Sequence, residues 1–221
     1  MNIALIGGTG RTNRLVLDVL TDRGHRVTVL VRDPGRLGRA ADDADARVIR
    51  GDVRDVEALR RLVDGCDVVI SALGPTDKEA DLHTDAARAL VDVMRDAGVN
   101  RFVGISGAGV DVPGDRKSRR DKVISWLINK LGGPLVADKP AELAVWRASA
   151  LDWTLVRLPR LTDGPATGRV EHHASESTSQ TSTRPFDYIH RWSRWRRRHQ
   201  YRARTAHYQR RLQLHQVRLE H

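Results

Sequence analysis

The first thirteen residues constrain the fold most. An apolar run, Asn2–Ile6, breaks at Gly7-Gly8-Thr9-Gly10-Arg11-Thr12-Asn13 and passes into a helical pattern. The same unit, a short apolar run, a turn and a longer segment of helical periodicity, recurs as far as residue 171. Expected strands are Asn2–Ile6, Arg26–Val31, Arg47–Ile49, Asp67–Leu73, Arg101–Ile105 and Asp152–Leu158. Expected helices lie around Thr12–Arg23, Val56–Val63, Glu79–Ala97 and Ala141–Ser149, with Gly24, Gly65 and Gly98 placed to end the first three in a left-handed residue. Near-continuous apolar strands alternating with helices imply a doubly wound parallel sheet, covered on both faces.

In such a sheet the carboxyl ends of the strands and the amino ends of the helices meet along one edge, where ligands bind. Here that edge comprises Gly7–Thr12, Arg32–Asp33, Asp52–Val53, Ser71–Gly74 and Ser106–Gly109. Lys139 joins it by standing just ahead of Pro140, a residue favoured at the first helical position.

The glycine-rich turn follows a strand and opens a helix, the context in which it becomes a pyrophosphate cradle. Gly7 permits the tight turn, Gly10 lets backbone approach phosphate, and Thr9, Arg11 and Thr12 surround the helix amino end, whose N–H groups favour an anion. Asn13 stands where the usual pattern has a third glycine. This is a Rossmann-type dinucleotide site. At the end of the second strand Arg32 precedes Asp33, with Arg36 near, so the extra phosphate of NADP is expected in preference to NAD. Asp52 and Val53 are placed to bond and pack against the adenine, or Asp52 is a plain turn residue. Ala72, Leu73 and Gly74 offer small side chains and backbone to the nicotinamide ribose, or close a tight loop.

Charge divides the chain. Residues 172–221 hold eleven arginines and no lysine against three acidic residues, a balance of +8 out of the chain's +10, and all 18 glycines precede residue 172. The expected division is a Rossmann domain over residues 1–183 and a basic tail over 184–221, disordered or out of frame. Arginine, histidine, glutamine and serine without lysine is the composition of an alternate reading frame of a GC-rich coding sequence. The other reading is an arginine-aromatic arm, with Trp192 and Trp195, that attracts nucleic acid non-specifically by charge and stacking.

Cys66 is the one cysteine, no apolar run approaches the roughly 20 residues of a membrane span, and no signal peptide opens the chain. A cytoplasmic protein without a membrane partner is expected, monomeric by preference. His25 and His83 read as isolated surface residues, and no spacing suggests a metal site. The charged run Asp115–Lys122 reads as a solvated loop, or as a lid.

Together, Ile6–Thr12, Gly51-Asp52-Val53, Val69–Gly74, Arg101–Ser106, Leu151–Arg157 and the loop Leu161–Gly168 resemble the atypical short-chain dehydrogenases with an NAD(P)H-binding domain, the NmrA-like proteins and the flavin reductase/biliverdin reductase B type. The resemblance spans residues 1 to about 180. It implies that Ser106 matches the active-site serine after the fifth strand and that Lys139 falls where flavin-reductase relatives place a histidine near the nicotinamide. Leu158 departs from the proline common at that position, with Pro159 one residue later.

Ordinary short-chain dehydrogenases reduce carbonyls with a Tyr-x-x-x-Lys pair, but Tyr188, Tyr201 and Tyr208 are followed four residues on by Trp192, Thr205 and Leu212. Without the pair, a small-molecule acceptor of the flavin or quinone type is expected, since it tolerates charge or takes its proton from water. Ser106 and Lys139 are the candidate catalytic residues. The other readings are an NADP(H)-sensing regulator without turnover and a nucleic-acid binder acting through the tail.

Overall fold

In the computed structural model, residues 1–7, 9–37, 46–74, 79–107, 110, 133–158, 171–173 and 214–218 are described. The strands are β1 (Asn2–Ile6), β2 (Arg26–Val31), β3 (Arg47–Arg50), β4 (Val68–Ser71), β5 (Arg101–Gly107), β6 (Asp152–Leu158), β7 (Glu171–His173) and β8 (Leu214–Arg218). The helices are α1 (Arg11–Thr21), α2 (Val56–Val63), α3 (Leu82–Asp96) and α4 (Gly133–Ala148), with a 3-10 turn at Pro34–Arg36.

The strand order is β3-β2-β1-β4-β5-β6-β8-β7, and β1 to β6 are parallel throughout. The order reverses between β1 and β4, the switch point at which doubly wound sheets open a crevice. This is the Rossmann-type fold that the sequence predicts.

Alternation along each strand feeds two cores. Ala4, Ile6, Leu30, Val69, Phe102 and Leu155 face one side, where α2, α3 and α4 supply Leu59, Leu62, Leu90, Met94, Leu143 and Trp146. Ile3, Leu5, Val29, Ile70, Val103 and Val156 face the other, against Val16, Leu17 and Leu20 of α1. The helix-ending glycines have φ of 70°, 66° and 69° at Gly24, Gly65 and Gly98, as expected.

One expectation is corrected. The last helix begins at Gly133, so Pro140 lies inside it and Lys139 is not ahead of its first turn. A proline in a helix interior loses a hydrogen bond, but the turn around it is fastened to α3: the buried Asp138 carboxylate accepts from the His83 and Thr84 amides at 2.8 and 2.9 Å. Within residues 184–221, the described segment Leu214–Arg218 is a strand. It pairs parallel to β6, where an open sheet edge offers unpaired backbone groups to any extended segment. Asp115–Lys122, Leu161–Gly168, Trp192 and Trp195 lie outside the described residues.

Candidate functional site

At the carboxyl end of β1 the chain turns through Gly7, whose φ of 91° favours glycine, and the Gly10 amide closes the turn on the Gly7 carbonyl at 3.2 Å. Gly10 is the N-cap of α1 and, among the described residues, no side chain caps that helix and its first turn holds no acidic residue, an arrangement that suits an anion such as a pyrophosphate at the first-turn amides. Thr9 is half-buried beside this turn. The side chains of Arg11 and Thr12 lie outside the description, though both residues are helical.

The end of β2 carries an exposed Arg32, its side chain 57% accessible. Arg32 Nη1 lies 2.9 Å from Glu79 Oε1 and 3.9 Å from Asp52 Oδ2. Glu79 Oε2 lies 3.4 Å from Arg54 Nη1, and Arg54 Nε donates to Asp85 Oδ2 at 3.0 Å. Asp33 caps the 3-10 turn by accepting from the Gly35 amide at 3.1 Å, and Arg14 ties α1 to that turn through the Arg36 carbonyl at 2.7 Å. Asp52 also accepts from the Arg54 amide at 3.0 Å. Val53 is buried in the core beside Leu30, Ile49 and Ala58. After β4, Ala72 is buried, Leu73 half-buried and Gly74 exposed, with open space where a Cβ would stand.

The other half of the site is a polar cluster between α3 and α4, below the end of β5. Lys139 Nζ donates to Glu142 Oε2 at 2.9 Å, to His83 Nδ1 at 3.0 Å and to the Ile105 carbonyl at 3.4 Å. An ammonium has three hydrogens, and all three have acceptors. The lysine thus lies against the strand segment that carries Ser106, which is itself buried and pairs in register with the buried Arg157. Burial pushes the Glu142 carboxyl above its usual range, against the pull of Lys139. Burial, reinforced by the Lys139 charge, lowers His83 from 6.5 to about 4. Trp146 Nε1 donates to Glu142 Oε1 at 3.4 Å, and its indole stacks on Phe102 with centroids 3.8 Å apart.

His83 is a correction. Only 4% exposed and bonded to Lys139, it is neither isolated nor on the surface. Its position at the amino end of α3 was the available signal, because that helix follows β4 and must start on the ligand edge. Among the described residues no group of three or more His, Cys, Asp or Glu could hold a metal ion, and no helix is long and apolar enough to cross a membrane.

A family model described as NAD(P)H-binding matches residues 7–186. An isoflavone reductase homolog of Zea mays is 38% identical over 118 residues, covering 50% of this chain and 36% of the relative. The chain spans about half or less of the length of the first curated relatives it matches. Among solved structures, a short-chain dehydrogenase/reductase from Veillonella parvula in complex with NADP superposes with a TM-score of 0.77 at 17% identity, over 98% of this chain and 93% of that one. The anaerobillin reductase ChuY from Escherichia coli O157:H7 gives 0.75 at 17% identity, over 98% and 96%. The helix behind the glycine turn, the switch point beside it and a match over most of the chain agree: this protein belongs to the NAD(P)H-binding family, on a Rossmann-type fold.

Proposed function

We propose that this chain is an NADPH-dependent oxidoreductase that passes hydride to a flavin- or quinone-like acceptor. The carrying observation is a half-buried ammonium, Lys139, held at the end of β5 in a chain with no tyrosine before residue 188. Without a phenol from residues 1–187, an alkoxide formed from a simple ketone lacks its usual proton donor. A conjugated acceptor spreads the incoming negative charge, and a fixed cation in a low-dielectric site stabilises that charge without surrendering a proton. Support also comes from reductases among the relatives and structural neighbours.

In this reading Gly7, Gly10 and the α1 amides hold the pyrophosphate, Arg32 and Arg36 take the 2′-phosphate, Asp52 faces the adenine, and Ala72, Leu73 and Gly74 pass the nicotinamide ribose. Reduced nicotinamide, when bound, supplies the hydride. Ser106 orients the reacting face from β5, and Lys139 supplies positive charge while Glu142 and His83 fix its direction. The acceptor's proton comes from water. The protein acts in this reading as a cytoplasmic monomer on a small molecule.

One observation favours a second reading, an NADP(H) sensor without turnover: every Lys139 hydrogen is already engaged. NADPH oxidation against a panel of flavins, quinones and simple ketones separates the two. Flavin or quinone turnover above ketone turnover, slowed in Ser106→Ala and Lys139→Ala without loss of NADPH binding, supports the enzyme. Tight NADPH binding with no acceptor turned over supports the sensor.

A further inference from the structure

We infer that Glu79 is a specificity-determining residue of the nucleotide site, a carboxylate that competes with the 2′-phosphate of NADPH for Arg32. The inference rests on the proposed role of Arg32. Glu79 follows β4 and Arg32 follows β2, with β1 between those strands in the sheet, so their 2.9 Å ion pair reaches across the strand end that carries the glycine turn. A carboxylate and a phosphate ask the same of a guanidinium, N–H donors backed by positive charge. Glu79 Oε1 therefore occupies a donor that the phosphate needs.

Arg32, Arg54 and Arg88 are joined by ion pairs to Asp52, Glu79 and Asp85, and within this network a phosphate reaches the Arg32 donor held by Glu79 only when Glu79 moves off. Arg54 makes that move inexpensive, because Glu79 Oε2 already lies 3.4 Å from Arg54 Nη1 and the displaced carboxylate keeps a partner. Glu79 then lowers the discrimination between the phosphorylated and unphosphorylated cofactor, and its neutralisation raises it.

The test is titration calorimetry of NADPH and NADH on the full chain and on Glu79→Gln, Arg32→Gln and Asp85→Asn. An exposed ion pair of this kind sets the scale at about two- to fivefold. Glu79→Gln is expected to tighten NADPH by that factor and leave NADH unchanged, while Asp85→Asn, which does not touch Arg32, leaves the NADPH to NADH ratio as it was. If Arg32→Gln lowers the ratio and Glu79→Gln does not raise it, the competition is overturned and the Arg32 reading survives. If Arg32→Gln leaves the ratio unchanged, the Arg32 reading falls and takes the competition with it. An equal rise in Asp85→Asn overturns it as well, by assigning the effect to net charge instead of the contact.

Discussion

Lys139 Nζ donates to His83 Nδ1 at 3.0 Å across the α3 and α4 interface, and this contact fixes the histidine tautomer. An ammonium accepts nothing, so Nδ1 must be the acceptor and the ring proton sits on Nε2. That Nε2–H is buried without a hydrogen-bond partner among the described residues. A buried unpaired donor costs about 1–3 kcal/mol.

Burial of His83, reinforced by the Lys139 charge, makes stability depend on pH. His83 titrates at about 4 when folded against 6.5 as a free group, so between those values the unfolded chain binds the extra proton. Stability from this group is fully present above pH 6.5 and is lost as pH falls through 4, with a ceiling of about 3 kcal/mol at 1.4 kcal/mol per pKa unit. Glu142 works the other way, since its raised pKa lets the folded state take up a proton more readily as pH falls. Urea denaturation from pH 7.5 to 4 is expected to show falling stability in the native chain and a flatter profile in His83→Asn. Identical profiles would remove His83 as the source.

Lys139 and Glu142 should prove coupled. Removing the ammonium in Lys139→Met leaves a nearly buried carboxylate with only an indole N–H, and breaking buried pairs from one side costs about 3–5 kcal/mol. The double variant Lys139→Met/Glu142→Gln is expected to be more stable than the two single losses summed, by about 1–3 kcal/mol in a double-mutant cycle. Strict additivity would mean that the 2.9 Å contact contributes nothing.

Asp138 is the cap of a helix other than its own. Asp81, at the N-cap position of α3, makes no side-chain cap bond, and the buried Asp138 carboxylate serves the His83 and Thr84 amides and the Thr84 hydroxyl instead. Surface caps contribute roughly 1 kcal/mol. Asp138→Ala exposes a buried helix end to three lost bonds, so about 2–4 kcal/mol is expected by urea denaturation, with Asp138→Asn intermediate because one oxygen remains. A loss below 1 kcal/mol would show that water replaces the carboxylate.

Periodicity sufficed for β1, β2 and β6 because most of each strand is buried on both faces, but it did not mark β7 or β8. Asn2–Ile6, Arg26–Val31 and Asp152–Leu158 fall where the apolar runs place them, and Val56–Val63 is bounded by the Asp55 cap, which accepts from the Glu57 and Ala58 amides. The start of α4 was not legible, since Pro140 reads locally as a first-turn residue and is accommodated inside the helix by contacts with α3. Glu79 and His83 escaped for a related reason. Glu79 meets Arg32 through strand order and His83 meets Lys139 through the packing of α3 on α4, 47 and 56 residues away in the chain, and no local spacing encodes that. Gly7, Gly10 and Arg32 fall just after strands, where their position behind apolar runs places them.

Two glycines, Gly104 inside β5 and Gly74 after β4, separate packing from ligand approach. A Cβ on Gly104 would stand 2.8 Å from Leu155 Cδ2 and from Phe102 Cε1, under the ring on which Trp146 stacks. Gly104→Ala must therefore shift Phe102, and overpacking of this kind costs about 1–3 kcal/mol. Because Trp146 also bonds Glu142, the disturbance reaches the acceptor of Lys139. A lowered melting temperature and a changed near-ultraviolet tryptophan signal are expected together. Gly74 is the contrast: nothing lies within 4 Å of its Cβ position and its φ is not in the left-handed region, so Gly74→Ala should leave the melting temperature unchanged. If the nicotinamide ribose passes close to that backbone, the same methyl group should weaken NADPH binding severalfold by calorimetry. A Gly74→Ala chain that is as stable and binds as tightly as the native one would place the ribose elsewhere along the edge.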